Sequence, residues 1–281
     1  MSPSSDTYLV TGATSGVGRD AVLRLARAGF RVLLHARTPE KGDPVAKDIR
    51  AESGNQAVEV VAADFSRLRE VRRLAEEVQA RAPELTGLLN NAGLVRDQKT
   101  ITEHGFELTL QVNHLAPFLL TRELLEGLRA RGGRVVTVAS AAHRRASLPA
   151  DGLGAYLRGE GRFQGLQRYS DSKLANILFT RELARRAPEI TTYSVHPGVL
   201  ATGIWDRNRG LLSRLVRLFK PLMGDPDVGG QAAVQLLLEE SDAPSGSYFD
   251  KEERADPKLP DDPDGVARAL WAASEAAVAE G

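Results

Sequence analysis

Short apolar runs alternate with amphipathic stretches along almost the whole chain. Tyr8-Leu9-Val10, Phe30–Ala36, Val58–Ala62, Leu85–Leu89, Arg134–Ala139, Thr191–Val195 and Gly246–Phe249 read as seven strands, the last of them at an edge. Their near-continuous apolarity is the pattern of strands buried on both faces. Between them, helical spacing recurs: Ala21, Val22, Leu25 and Ala28 within Arg19–Ala28, and Val71, Leu74, Ala75 and Val78 within Leu68–Ala80. Further helices are expected over Val45–Ser53, Phe106–Leu128, Asp171–Arg186, Leu211–Met223, Gly229–Glu239 and Asp264–Ala279. Strand and helix in strict alternation predict an α/β fold: one doubly wound, mostly parallel seven-stranded sheet with helices on both faces. A single domain over 1–281 is expected. Residues 203–225 would form a small substrate lobe, and the Gly- and Arg-rich segment 141–168 a flap beside the site.

In such a sheet, ligands bind outside the C-terminal ends of the strands. The residues at those ends are therefore the candidates. Thr11-Gly12-Ala13-Thr14-Ser15-Gly16-Val17-Gly18 joins the first strand to the first helix, where glycines let backbone approach a pyrophosphate. Its spacing, G-x-x-x-G-x-G, differs from the G-x-G-x-x-G of the standard dinucleotide fingerprint. After the second strand stands Arg37, where an acid would bind the ribose of NAD and a cation suits the 2′-phosphate of NADP. NADP(H) is the expected cofactor, with Arg19 a second source of charge. Asn90-Asn91-Ala92-Gly93 closes the fourth strand, Ser140 the fifth and His196-Pro197-Gly198 the sixth, while Asn113 sits unusually inside a helix. Tyr169 and Lys173, four residues apart, share one helix face, and an ammonium there would favour the phenolate.

Composition narrows the classes. The chain has 37 basic and 37 acidic residues, so no net field argues for a nucleic-acid partner. Absence of Cys excludes disulfides and thiolate chemistry, and the five His show no metal-ligand spacing, so no metal is expected. No apolar run approaches the roughly 18 residues that span a bilayer, and no signal peptide is visible, which predicts a cytoplasmic protein without an integral membrane segment. Helix 211–223 reads as a substrate lid, with a membrane-surface role for Arg214, Arg217 and Lys220 as the other reading. The cationic run His143-Arg144-Arg145 reads as a solvated loop, with contact to an anionic substrate group as the other reading.

Taken together, Thr11-Gly-x-x-x-Gly16-x-Gly18, Asn90-Asn91-Ala92-Gly93, Asn113, Ser140, Tyr169-x-x-x-Lys173 and Pro197-Gly198 resemble, in order and spacing, the short-chain dehydrogenases/reductases, a family with a Rossmann fold. Gln111–Thr121, Ala139–His143, Tyr169–Asn176 and Ser245–Phe249 are most similar to the branch of retinol dehydrogenases and protochlorophyllide reductases. The resemblance implies Tyr169 as general acid/base, Ser140 as the group binding the substrate oxygen, Lys173 on the nicotinamide ribose, and Asn113 in a proton relay. It implies Gly12, Gly16 and Gly18 at the diphosphate, Asp64 at the adenine, Asn91 at the adenosine ribose, Arg37 at the 2′-phosphate, and Val199 and Thr202 at the nicotinamide. Thr14, Ser15, Val17, Phe65, Ala92, Gly93, Pro197 and Gly198 complete the implied cofactor set. Asp171 departs from the small residue frequent within the pentad and is expected to alter charge near the site.

The expected activity is NADP(H)-dependent reduction of a ketone or aldehyde to an alcohol, or the reverse, on a largely apolar small molecule. Two other readings stay open: non-redox biosynthetic chemistry on the same fold (cyclisation, dehydration or epimerisation), and a dinucleotide-binding sensor without catalysis. A homodimer or homotetramer is compatible with either.

Overall fold

The computed structural model describes residues 6–149, 151–198, 229–239 and 241–280. Its first half alternates β1 (Thr7–Val10), α1 (Gly16–Arg27), β2 (Arg31–Ala36), α2 (Pro39–Ser53), β3 (Val58–Ala62), α3 (Leu68–Arg81) and β4 (Gly87–Asn90). Then come α4 (Leu108–Leu110), a π turn (Gln111–Leu115), α5 (Ala116–Glu123), α6 (Leu125–Arg131), β5 (Arg134–Val138), a 3₁₀ turn (Ala141–Arg145) and α7 (Leu153–Leu157). The long α8 (Gly165–Arg186), β6 (Thr191–His196), α9 (Gly230–Leu238), β7 (Tyr248–Asp250), β8 (Glu253–Ala255) and α10 (Pro263–Glu280) follow.

The strands form one sheet in the order β3-β2-β1-β4-β5-β6-β7-β8, parallel throughout except for the antiparallel β7–β8 pair. Successive side chains of a strand point to opposite faces, and the core divides accordingly. Leu9, Leu33, Leu88 and Val135 pack with α3, α5, α8 and Trp271 of α10, whereas Val10, Leu34, Leu89 and Val136 pack with α1, α2 and α9. The chain leaves β3 and returns beyond β1 to begin β4, so the order reverses between β1 and β4. That reversal opens the crevice in which such sheets hold their ligands.

The eighth strand corrects the seven expected. Glu253-Arg254-Ala255 is too short and polar to show a strand pattern, yet it folds back on β7 through Lys251, whose φ is 58°. Helix α2 starts at Pro39, not Val45, because a proline at the first helical position loses no bond and Pro44 removes only one. The expected helix Phe106–Leu128 is broken at the π turn. Pro117 has no N–H to offer the carbonyl of Asn113, four residues back, so the regular ladder gives way there. Segment 141–168 is less irregular than its composition suggests, since α7 buries Leu153 and Leu157. The expected lobe 203–225 and helix 211–223 lie outside the described residues. Among the described residues, no helix is long and apolar enough to cross a membrane.

Candidate active site

A cleft of about 1050 Å³ runs along the C-terminal ends of the strands. Every described candidate residue lines it except Gly16, Gly18, Asp64 and Asn113. Val199 and Thr202 lie outside the described residues. The turn after β1 is braced from three sides. Thr11 Oγ1 donates to the Leu89 carbonyl at 3.1 Å and accepts from the Asn91 and Ala92 amides at 2.9 and 3.1 Å. The Asn91 side-chain amide donates to the carbonyls of Thr11 and Gly12, at 2.8 and 3.1 Å, so it holds the loop in shape. A Cβ on Gly12, which has φ 64°, would fall 2.7 Å from the Ala92 Cα, and one on Gly18 only 2.5 Å from Asn91 Nδ2. Gly18 thus serves the wall from behind it.

The third brace is His35, which the sequence presents only as a missing acid. Its Nδ1 accepts from the Gly12 amide at 3.1 Å, its Nε2 donates to the Ala63 carbonyl at 3.0 Å, and its ring stacks on Phe65 at 4.4 Å. Burial pushes its pKa down to about 4, which keeps the ring neutral. Asp64 is not among the lining residues, and its Oδ1 accepts from the Ser66 amide and hydroxyl at 2.9 and 2.8 Å. Arg19 is ion-paired with Glu52, whereas Arg37 is exposed with no ion pair among the described residues.

At the other end, α8 delivers Tyr169 and Lys173 one turn apart, both buried. The Ser140 hydroxyl stands near enough to the Tyr169 phenol to favour its phenolate. Lys173 Nζ donates to the Val138 carbonyl at 2.8 Å and lies 5.7 Å from the Tyr169 ring centroid. The electrostatics differ from the expectation of a phenol lowered by the ammonium. Burial raises the Tyr169 pKa, opposed only by the Ser140 hydroxyl, and burial lowers Lys173 to about 8. The phenol is therefore an acid holding its proton at neutral pH. His143, expected in a solvated run, is instead buried: it anchors Ser140 by donating from Nδ1 to its carbonyl at 2.7 Å while Nε2 accepts from the Lys258 amide at 3.2 Å.

The π turn aims Asn113 at the backbone after β4. Its Oδ1 accepts from the Leu94 amide at 2.8 Å, and its Nδ2 donates to the Leu94 carbonyl at 2.9 Å and to Ser172 Oγ at 3.0 Å. Gly93 leaves the space between Asn113 and Lys173 open. A Cβ there would sit 3.3 Å from Asn113 Oδ1 and 3.7 Å from Lys173 Nζ. Asp171, expected to alter charge near the site, instead faces the flap. Fully buried, it accepts from the Tyr156 hydroxyl, the Ser147 amide at 2.7 Å and Gln167 Nε2 at 2.9 Å.

Comparison with known proteins agrees with this geometry. A family model described as short chain dehydrogenase matches residues 6–156. The chain is 40% identical over 245 residues to human retinol dehydrogenase 12, covering 86% of this chain and 76% of that protein. The chain belongs to the short-chain dehydrogenase/reductase family. Human dehydrogenase/reductase SDR family member 13 is 41% identical over 277 residues, covering 96% of this chain and 72% of its own. With such relatives, this short-chain dehydrogenase falls in the retinol dehydrogenase-like branch and is an oxidoreductase of that family. Among solved structures, a short chain dehydrogenase of Escherichia coli CFT073 in complex with NADPH superposes with a TM-score of 0.68 at 26% identity, covering 88% of this chain and 97% of the other.

Proposed function

We propose that this short-chain dehydrogenase interconverts a carbonyl compound and its alcohol with NADP(H). The observation that carries the reading is that Ser140, Tyr169 and Lys173 meet in one cleft wall, with the amine of Lys173 buried beside the phenol ring.

The cleft suits the dinucleotide. Gly12 lets the turn after β1 close against Ala92, where a Cβ would collide, and the described wall carries no carboxylate to repel phosphates. Arg37 and Lys41 stand past β2, where a 2′-phosphate would meet a guanidinium. An NADPH-bound neighbour at 26% identity supports the same choice. When bound, NADP(H) supplies or accepts the hydride.

The chain's own residues manage the oxygen and the proton. Ser140 Oγ donates to the substrate oxygen and fixes it against the Tyr169 phenol, placing a donor where negative charge develops. Tyr169, kept protonated by burial, gives its proton to that oxygen during reduction. Lys173, with its pKa near 8, can return a proton to the phenolate, and the gap at Gly93 leads from its amine to Asn113. Asn113 fixes the Leu94 backbone and so holds that passage in shape.

The test is Tyr169→Phe, measured with NADPH and a panel of aldehydes and ketones. Turnover should fall about 100- to 10,000-fold, with NADPH affinity little changed. Wild-type turnover in the variant would remove the proposed acid.

A further inference from the structure

Resting on that reading, we propose that the substrate is an oxo acid: an apolar body bearing the reactive carbonyl, with a carboxylate bound by Arg96 and Arg145 and assisted by Arg144. The described cleft wall contains four arginines, Arg37, Arg96, Arg144 and Arg145, and no Asp or Glu. Arginines elsewhere pair with carboxylates, as Arg31 does with Glu59 and Arg185 and Arg186 with Glu182. None of the four in the cleft has an ion pair among the described residues. In a chain with equal numbers of acids and bases, this one-signed wall focuses a positive potential into the site.

The four fall into two groups. Arg37 follows β2 and belongs with the proposed 2′-phosphate end. Arg96 follows β4 and Arg144 and Arg145 follow β5, and all three share the cleft lining with Tyr169. Both Arg96 and Arg145 are tied through their backbones to the first turn of α8, just ahead of the phenol. The Arg96 carbonyl packs against Gly165 so closely that any Cβ there would collide with it, and the Arg145 carbonyl accepts from Gln167 Nε2 at 3.0 Å. The same Gln167 nitrogen is held by Asp171, which fixes this rim to the catalytic helix. Guanidinium forks match a carboxylate with two parallel hydrogen bonds, a geometry that an ammonium lacks. Leu94, Val95 and Leu166 line the same cleft, and Leu166 is 43% exposed, one of two large apolar side chains so exposed among the described residues.

The experiment compares 10-oxodecanoate with its methyl ester at saturating NADPH, and separately measures binding of decanoate and decanamide to the NADPH complex. The acid should exceed the ester in kcat/KM by about 10- to 100-fold, through KM, and the ratio should shrink as KCl is raised. Arg96→Ala and Arg145→Ala should each collapse that ratio towards one, while Arg37→Ala weakens NADPH binding and leaves the ratio in place. Decanoate should bind more tightly than decanamide, and lose that advantage in the Arg96→Ala/Arg145→Ala double variant. Equal binding of decanoate and decanamide, or an acid-to-ester ratio of one in the wild type, overturns the proposal. Preferential decanoate binding with no turnover of either oxo compound would instead sink the carbonyl-reducing reading and leave the anion site standing.

Discussion

His35→Leu removes a brace of the phosphate-facing turn while keeping volume and burial. Two partners are stranded: the Ala63 carbonyl, which is buried, and the Gly12 amide, which borders the cleft. Leaving a buried polar group unpaired costs about 1–3 kcal/mol, and the half-exposed amide less, so the variant should lose about 2–4 kcal/mol. For a chain of this size that is a drop of about 3–7 °C in Tm. The pH dependence gives a second, independent reading. The His35 pKa is depressed to about 4 in the fold, against roughly 6.5 in the unfolded chain. Above the unfolded value neither state is protonated and stability is at its full level. Between the two values only the unfolded chain takes up the proton, so stability falls as pH drops, at about 1.4 kcal/mol per pH unit for each such group. His114, buried and also near 4, acts in the same window and is present in both proteins. Urea denaturation at pH 7.5, 6.0 and 5.0 separates them: His35→Leu should start lower and fall less steeply by one histidine's share. Wild-type stability at pH 7.5, or an unaltered slope below pH 6.5, would refute the argument.

Two further variants test the supports of the site. Gly18→Ala puts a methyl 2.5 Å from Asn91 Nδ2 and 2.7 Å from the Gly12 carbonyl; overpacking of this kind costs about 1–3 kcal/mol, and NADPH titration by fluorescence should show weakened binding, whereas unchanged affinity would remove Gly18 from the cradle. Asp171→Ala strands the Tyr156 hydroxyl and the Ser147 amide, so trypsin should cut faster at Arg158 or Arg162 and KM should rise; an unchanged digestion rate would show that the flap is held by other contacts.

The sheet was legible because its strands are buried on both faces, and unbroken apolarity marks them. Gly12, Ser140 and Tyr169 were legible because strand ends and a four-residue helical spacing place them on one edge. What escaped depended on contacts between distant segments. His35 reaches Gly12 across 23 positions and Ala63 across 28, and nothing local marks a ring nitrogen as an acceptor for a loop amide. Asp171 read as a charge near the phenol, yet two positions along a helix turn a side chain nearly to the opposite face. The tuning of Tyr169 escaped for another reason. Spacing shows that an amine is near, but only the packed structure shows how thoroughly both groups lose water, and that loss sets the direction of both shifts.

The hairpin of β7 and β8 bears on how copies of this protein meet. Had the sheet stopped at Tyr248–Asp250, a bare row of amides and carbonyls would have invited another chain to dock by strand addition. Folding Glu253-Arg254-Ala255 across that row satisfies it from within and leaves two opposite charges on a three-residue rim. A foreign strand gains little from so short a template and must desolvate those charges to use it. Self-association at this margin is thereby steered towards side-chain contacts rather than a shared ladder.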